Sequence, residues 1–264
     1  MIQQVPDPII ELHNLTVTYD RKPALWNADY TLPQNQLIGV LGPNGSGKST
    51  MLKAIMGLVK PSSGDAKLFG KEVDEVRHRI AYVPQRGSVD WDFPINVFET
   101  VLMGRYKPES LFRRVKKEDK NIAMEALEKV QMTPFLKRQI SQLSGGQQQR
   151  VFIARALAQQ ADLYLLDEPF AGVDAATESA IVGLLKEMKE EGKTIVVVHH
   201  DLQTVFKYFD WLVMLNTRLI ASGPTEKVFQ PDILTDTYGG KLNILSQIVD
   251  LIQKEGYPVQ EKNT

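Results

Sequence analysis

The sequence of 264 residues, 43% of them hydrophobic, is long enough to form one large α/β domain or a domain with a sizeable insertion. Its 31 Lys and Arg residues against 32 Asp and Glu residues give a formal net charge of -1, so bulk charge provides no reason to bind nucleic acid or anionic lipid. The lack of cysteine excludes disulfides, thiolate chemistry and Cys-ligated metals, and four histidines leave little material for a protein-bound transition-metal site.

The sequence pattern predicts neither a membrane-spanning helix nor a targeting signal at residues 1–10. No apolar run approaches the roughly 18 residues that a membrane-spanning helix needs. Residues 1–10 contain two prolines and lack the basic and apolar segments of a targeting signal. We therefore expect any function at a membrane to be carried out through a partner protein.

The chain begins with a predicted strand over residues 9–19, in which apolar and β-branched residues partly alternate. Tyr19 ends this strand, and its ring could stack on an adenine base. The pattern alone favours the simpler interpretation, an ordinary strand aromatic. A turn cluster at residues 61–65 precedes another short strand at 66–69, so the first part of the chain combines antiparallel strands with the motif described next.

A glycine-rich loop lies between a predicted strand at residues 37–41, buried on both faces, and a helical pattern at residues 51–59. Glycines allow backbone N–H groups to converge on phosphate oxygens, while the helix N-terminus and Lys48 supply positive charge. Ser49 then offers a hydroxyl ligand for Mg²⁺. An incidental turn is the alternative, but the spacing favours a phosphate-binding loop. The loop consists of Gly42, Pro43, Asn44, Gly45, Ser46, Gly47, Lys48, Ser49 and Thr50.

Another apolar strand, around residues 80–83, leads into Pro84 and Gln85. An amide oxygen at a strand end could reach Mg²⁺ or an attacking water, and the alternative is a polar loop residue. Residues 91–143 then change in composition, with a Lys/Arg-rich stretch at 113–120 and an amphipathic helix at about 121–132. We predict a helical insertion here, and we interpret the charged stretch as a solvated helix start and not as a nucleic-acid patch.

Residues 143–147 form a second glycine-rich helix start, ahead of a helix predicted over 148–160. Such a turn can bind an anion or can serve only as a helix N-cap. A buried strand at residues 163–166 then delivers Asp167 and Glu168 at its carboxyl end, where ligands bind in open α/β sheets. Asp167 fits a Mg²⁺ partner acting through water, and Glu168 fits the base that orients or deprotonates a water attacking a γ-phosphate. A last apolar strand at residues 194–198 ends in His199 and His200, so a histidine emerges on the same kind of edge.

In order and approximate spacing, these motifs resemble the motif set of an ATP-binding cassette (ABC) transporter ATPase subunit, over roughly residues 9–230. The resemblance implies an α/β fold with a P-loop NTPase (RecA-like) core, an antiparallel β subdomain and an α-helical subdomain inserted at about residues 90–160. Residues 1–230 would form the ATPase domain and residues 231–264 a C-terminal helical extension.

The resemblance also implies roles for single residues. It makes Tyr19 the adenine-stacking aromatic, Gln85 the lid glutamine and His200 the γ-phosphate switch, with His199 as the alternative histidine. Asp174, in the loop after Glu168, becomes a dimer-contacting residue. The signature turn consists of Ser144, Gly145, Gly146 and Gln147.

Similar ATPases hydrolyse Mg²⁺-bound ATP and pair head to tail, so the resemblance implies a second copy of this chain as a partner. With no membrane-spanning segment, it also implies separate integral-membrane permease subunits, docked near the lid glutamine and the helical insertion. The chain would then work peripherally at the cytoplasmic face of the membrane, indirectly served by an extracytoplasmic solute-binding protein and without nucleic acid.

Residues 83–105 are similar to ATPases of the manganese, zinc and iron uptake group, which implies import of a divalent transition metal. ATPases that serve siderophore, haem or other small-solute uptake are the nearest alternative. A soluble DNA-repair ATPase needs long coiled coils for which residues 86–142 are too few, and a ribosome-acting relative usually carries two ATPase halves. A P-loop kinase or GTPase would leave residues 143–147 and His200 unexplained.

Overall fold

The computed structural model describes residues 1–106 and 115–239. The predicted Lys/Arg-rich stretch at 113–120 therefore lies partly outside the described residues. The extension predicted over residues 231–264 lies mostly outside them.

The described residues form both strands and helices along the chain. The strands are β1 Ile10–Tyr19, β2 Lys22–Leu32, β3 Leu37–Leu41, β4 Ser63–Leu68, β5 Ile80–Val83, β6 Leu163–Asp167, β7 Thr194–Val198, β8 Trp211–Asn216 and β9 Arg218–Pro224. The helices are α1 Lys48–Ile55, α2 Val73–Val76, α3 Val97–Leu102, α4 Lys117–Lys129, α5 Gly145–Ala158, α6 Ala175–Glu190, α7 Val205–Tyr208, α8 Thr225–Val228 and α9 Pro231–Tyr238. None of the helices in these ranges combines the length and apolarity needed to cross a bilayer.

The chain divides into two compact units. The first unit comprises Met1–Val76 and the chain from Val196 onward, and the second unit comprises Arg77–Ile195. The chain therefore leaves the first unit after α2 and returns to it within β7.

In the first unit, the strands predicted at residues 9–19 and 66–69 are accompanied by β2, which was not predicted. They form a three-stranded sheet in the order β2-β1-β4, in which Ile10 lies opposite both Leu32 and Leu68. These three residues are fully buried, so they pin the register at one end of the sheet. The remaining pairing in β1 is interrupted by irregular register shifts.

The first unit also contains the strand that leads into the phosphate loop. All five residues of β3 are buried, and β3 pairs in parallel with β8, which pairs in turn antiparallel with β9. The His199 N–H donates to the Val40 carbonyl over 3.0 Å, so β7 ends beside the end of β3. The phosphate loop and the histidine pair therefore leave neighbouring strand ends.

In the second unit, β5 pairs in parallel with β6, with Ile80 opposite Leu163 and Val83 opposite Leu166. Residues that follow these two strands consequently emerge at the same edge of the sheet. Helices α3, α4, α5 and α6 belong to the same unit. A largely buried ion pair ties the turn that follows α3 to α4, because Arg105 Nε lies 3.3 Å from Asp119 Oδ1.

Helices α4 and α5 begin earlier than expected, as does α1, which begins at Lys48. The pattern predicted a helix from about residue 121, but α4 begins at Lys117 because the Asp119 carboxylate accepts the Lys116 N–H over 3.0 Å. It ends at Lys129, just before Gln131 adopts a left-handed conformation with φ 58. Helix α5 begins at Gly145 and not at residue 148, since Ser144 caps it. Apolar spacing thus locates a helix, whereas capping groups set its ends.

Candidate functional site

The phosphate loop joins β3 to α1, and Lys48 is the first residue of the helix. Its ammonium group donates to the Gly42 carbonyl over 2.8 Å and to the Pro43 carbonyl over 2.9 Å. The side chain is only 6% exposed. A buried cation is therefore held against the loop at the helix N-terminus, where the helix dipole also favours an anion.

Backbone packing requires glycine at two positions of this loop. A Cβ on Gly42 would lie 1.9 Å from the Leu215 carbonyl oxygen, and one on Gly47 would lie 2.2 Å from that of Ala24. Gly47 also has φ 96, a conformation that side chains disfavour. The loop is consequently packed tightly against β2 and the end of β8.

Ser46 anchors the loop from within. Its carbonyl accepts the Thr217 N–H over 2.9 Å, which fixes the loop to the turn between β8 and β9. The Ser46 hydroxyl oxygen is buried, and no hydrogen-bond partner for it lies among residues 1–106 and 115–239. An orphaned buried hydroxyl beside a cradle of glycines and a buried lysine fits a phosphate-binding site.

The carboxylates at the end of β6 have different environments. Asp167, the last strand residue, is 1% exposed, and the Tyr82 hydroxyl donates to its Oδ2 over 3.5 Å. Burial first, and then Asp167, raises the pKa of Tyr82, so the phenol remains protonated and can act as a donor. Tyr82 was not predicted from the sequence. Because Tyr82 pairs opposite Leu165 on the neighbouring strand, only knowledge of the β5–β6 register could have revealed it.

Glu168 turns away from the strand that ends one residue before it. Its backbone has φ 53, a left-handed conformation that costs a residue with a side chain about 1 kcal/mol. Its Oε2 accepts a hydrogen bond of 2.9 Å from the side-chain amide of Gln85. The parallel pairing of β5 and β6 therefore brings together two of the predicted residues, and the strained backbone points to a functional position.

The signature turn forms a complete helix cap. Ser144 Oγ accepts the Gln147 N–H over 3.4 Å, and Gln147 Oε1 accepts the Ser144 N–H over 3.0 Å. The simpler interpretation of this segment, a helix N-cap, therefore describes it correctly. The cap does not preclude an anion site, because Gly145 and Gly146 also lie in the first turn of α5, where backbone N–H groups face outward.

Asp174 is likewise a helix cap. Its carboxylate accepts the Thr177 N–H over 2.9 Å and the Thr177 hydroxyl over 2.8 Å, at the start of α6. These two bonds lower the pKa of Asp174, so the group is a carboxylate at neutral pH. Its charge stands on the surface of the second unit, where it is available for a contact with a partner.

The two adjacent histidines differ in burial. His199 is 2% exposed, its Nε2 lies 2.8 Å from the Thr204 hydroxyl, and its ring packs edge-on against Phe209. Burial, with His200 as a smaller cause, lowers the pKa of His199 to about 4. His200 is exposed. The first histidine is therefore part of the core of its unit, whereas the second presents its ring to solvent.

Tyr19 lies at the end of β1, and its side chain is 47% exposed. The tight turn that follows, with left-handed Asp20 and Arg21, leads directly into β2 and places Tyr19 opposite Lys22. An exposed aromatic at the tip of a hairpin can stack on a planar ligand at little desolvation cost. The Tyr19 ring is thus accessible to a planar ligand such as an adenine base.

The three residues expected to serve Mg²⁺ offer a hydroxyl, an amide oxygen and a carboxylate, all hard oxygen ligands that suit this ion. They are Ser49, Gln85 and Asp167. Among the described residues there is no cluster of three or more His, Cys, Asp or Glu side chains that could hold a metal by itself. Each of these three oxygen groups is thus of a type that binds Mg²⁺.

The profile of the ABC transporter family matches residues 25–171 of this chain. The chain is 57% identical over 248 residues to the manganese transport system ATP-binding protein MntB of Bacillus subtilis strain 168, covering 94% of this chain and 98% of that protein. It is 54% identical over 234 residues to the zinc transport system ATP-binding protein TroB of Treponema pallidum strain Nichols, covering 89% of this chain and 88% of that protein.

Solved structures are also similar to this chain over most of its length. A metal-chelate type ABC transporter in an inward-facing conformation matches with a TM-score of 0.76 and 29% identity, over 88% of this chain and 89% of that one. The ATP-binding cassette MJ0796, a dimer bound to ADP and phosphate after hydrolysis, matches with a TM-score of 0.71 and 31% identity, over 81% of this chain and 98% of that one. These likenesses extend over most of each chain, so they concern the whole fold.

Proposed function

This chain belongs to the ABC transporter family, and on that premise we propose that it hydrolyses ATP to drive uptake of a divalent transition metal through separate permease subunits. The observation that carries the proposal is the phosphate loop, in which buried Lys48 is held at the N-terminus of α1 by the Gly42 and Pro43 carbonyls. A cation placed there has one evident use, which is to bind the terminal phosphates of a nucleotide.

Lys48 acts as the charged clamp on those phosphates. Phosphate oxygens replace the two carbonyl contacts of its ammonium group when ATP enters, so the cation exchanges neutral acceptors for charged ones. Backbone N–H groups of the loop provide further donors. Tyr19, exposed at the tip of its hairpin, stacks on the adenine.

Glu168 is the catalytic base. Its carboxylate accepts a proton from the water that attacks the γ-phosphate, and the amide of Gln85 orients it through Oε2. Asp167, through water, and Ser49, with the amide oxygen of Gln85, would hold Mg²⁺. When bound, that ion neutralises charge that develops on the phosphate oxygens. His200, exposed at the end of β7, contacts the γ-phosphate, while buried His199 supports its position.

A second copy of the chain completes each site. The similar cassette MJ0796 is dimeric in its ADP and phosphate complex, which supports a dimer here. In a head-to-tail pair, the signature turn of residues 144–147 faces nucleotide bound to the partner copy, and Asp174 contributes to the contact between copies. Permease subunits dock near Gln85 and the helices of residues 90–160, and they hold the dimer at the cytoplasmic face of the membrane. A solute-binding protein delivers cargo to the permease from the other side.

The ATPase domain covers residues 1–230 in this proposal, and residues 231–264 form an extension to it. The described part of that extension is α9, whose Thr237 carbonyl accepts the Asn216 side-chain amide over 3.0 Å. Since Asn216 ends β8, the start of the extension is fixed to the sheet of the first unit.

The cargo is a free divalent metal, manganese or zinc before iron. Relatives named for manganese and zinc transport are 57% and 54% identical to this chain, whereas the metal-chelate type transporter is 29% identical. The higher identity to the relatives named for manganese and zinc transport favours a free metal ion over a chelate such as a siderophore or haem as the cargo. The ATPase itself supplies force and does not contact the cargo.

Deletion of the gene tests this proposal. We expect lower cellular manganese or zinc and poor growth under chelation, rescued by the free metal salt and by the wild-type gene but not by Glu168→Gln. The matched control Glu187→Gln, an exposed glutamate on α6, should rescue fully. A defect confined to chelated iron or to a non-metal solute would exclude the metal cargo. Rescue by Glu168→Gln would exclude coupling to hydrolysis.

A further inference from the structure

Arg86 lies at a junction of loops in the second unit, and the sequence pattern gave no reason to single it out. Its Nε and Nη2 both donate to Gln148 Oε1, over 3.2 and 3.0 Å. Gln148 is 4% exposed, and its own amide donates to the Ile140 carbonyl over 3.0 Å. The acceptor is therefore held in one orientation, and the guanidinium is fixed by it.

The same guanidinium lies against the signature turn. A Cβ on Gly145 would lie 2.7 Å from Arg86 Nη1 and 3.0 Å from its Cζ, so only glycine leaves room for this arrangement. A Cβ on Gly172, in the loop that leads to Asp174, would lie 3.8 Å from Nη1. Arg86 thus contacts the signature turn and approaches the loop of residues 171–174.

A second attachment fixes the backbone of this segment to α5. The Trp91 indole N–H donates to the Arg86 carbonyl over 2.9 Å, and the Trp91 ring packs on Phe152 at a centroid distance of 4.9 Å. Phe152 and Gln148 are four residues apart, on one face of α5. Residues 86–91 are therefore held on the signature helix at two points one turn apart.

The neighbouring side chain points to a different group. Gln85 donates to Glu168, the proposed base, whereas Arg86 donates to the helix that carries the signature. In the head-to-tail dimer, Glu168 acts on nucleotide bound by its own subunit and the signature acts on nucleotide bound by the partner copy. Two adjacent residues consequently connect the two nucleotide sites.

We propose that Arg86 is a positioning residue, an inference that rests on the proposed function. Arg86 joins the segment that contains Gln85 to the signature turn. The turn is thereby held in the orientation in which it contacts the ATP bound to the partner copy. A purely structural role would affect stability and nucleotide binding alike. The positioning role affects the ATP-dependent dimer and turnover, while the nucleotide site of the subunit itself stays intact.

The test uses the full chain in a Glu168→Gln background, so that bound ATP persists. ATP-dependent dimerisation is measured by analytical ultracentrifugation, and nucleotide binding to the monomer by titration with a fluorescent ATP analogue. We expect Arg86→Met to weaken dimerisation roughly 10- to 100-fold, the effect of losing hydrogen bonds to a charged group, with nucleotide affinity unchanged. The matched control is Arg79→Met, which breaks the 2.8 Å ion pair with Asp162 at the other end of β5.

A conservative variant separates geometry from charge. Arg86→Lys keeps the charge but cannot direct two N–H groups from one planar group at Gln148, so we expect it to remain impaired. Arg86→Met and Gln148→Met should also be non-additive, since both remove the same contact. Melting temperatures of all variants show whether each is folded, and Arg86→Lys serves if Arg86→Met is not.

Three results would overturn the inference. They are dimerisation of the Arg86 variants equal to that of Arg79→Met, full rescue by lysine, and loss of nucleotide affinity in parallel with dimerisation. Failure of the proposed function can be told apart from failure of this inference. In that case the wild-type chain would neither hydrolyse ATP nor form an ATP-dependent dimer. A wild-type chain that does both, beside unaffected Arg86 variants, would reject the inference alone.

Discussion

The side-chain amide of Gln85 donates a 2.9 Å hydrogen bond to Glu168 Oε2, although the two residues are 83 positions apart. The bond engages one carboxylate oxygen and thereby restrains the position of that oxygen. It also gives Gln85 a defined place at the end of β5, next to a residue whose backbone is held at φ 53. The proposed base is therefore oriented by a neutral donor.

We predict that Glu168→Gln lowers ATP turnover by roughly 10² to 10⁴, the usual effect of removing a positioned base. Glutamine can still accept the Gln85 bond through its amide oxygen, so geometry and nucleotide affinity should persist. Phosphate release measures the first effect and fluorescent-nucleotide titration the second. Glu187→Gln, on the exposed face of α6, should retain the wild-type rate. Equal rates for both variants would remove Glu168 from the catalytic role.

We predict that Lys48→Ala, by contrast, weakens the binding of ATP. The substitution deletes the buried cation that the Gly42 and Pro43 carbonyls hold in place, and charge-assisted bonds to phosphate are lost with it. We expect the Kd for ATP to rise at least about tenfold. The measurement is equilibrium titration, with exposed Lys186→Ala as the matched control. An unchanged Kd in the Lys48 variant would contradict the clamp.

The sequence predicted elements best where burial alone defines them. Both β3 and β7 occupy the predicted residues, and all positions in each strand are buried. Two elements with mixed surfaces, β2 and α6, were missed, whereas β1 was predicted at residues 9–19. In β2, exposed and buried residues alternate imperfectly because its pairing with β1 shifts register several times. Helix α6 was also missed, since Asp174 was considered only as a loop residue and not as the cap that starts it.

The sequence likewise predicted some features of the candidate site and missed others. The α/β fold with a P-loop NTPase core, which the resemblance implied, is confirmed by the solved structures. Contacts such as Gln85 with Glu168, or Arg86 with Gln148, depend on strand pairing and helix packing between distant segments. No local pattern carries that information. The pair His199–His200 shows the difference, because burial separates residues that the sequence leaves equivalent.

His199 predicts a pH dependence of stability. Its pKa in the fold is about 4 against an ordinary value of 6.5, so the unfolded chain binds more protons between those values and stability falls as pH drops through that window. The loss amounts to about 2 kcal/mol of unfolding free energy between pH 7 and pH 5. Urea denaturation of His199→Gln should show a shallower pH dependence than wild type, whereas exposed His78→Gln should match wild type. Identical slopes for all three would mean that His199 does not resist protonation.

Trans pairing of Lys48 and Ser144 can be tested by complementation. In a mixed dimer of Lys48→Ala with Ser144→Arg, a head-to-tail arrangement places both lesions in one nucleotide site and leaves the other site whole. Random exchange makes half of the dimers mixed, so hydrolysis should recover to roughly a quarter of the wild-type rate if the sites fire independently. Each mutant alone should be inactive, because both of its sites are damaged. A second readout, one retained ATP per mixed dimer in a Glu168→Gln background, still detects the whole site if the two must fire together. If Lys48 and Ser144 served the same site within one subunit, every site in the mixture would carry a lesion, and neither activity nor retained nucleotide would exceed that of the separate mutants once subunit exchange is verified.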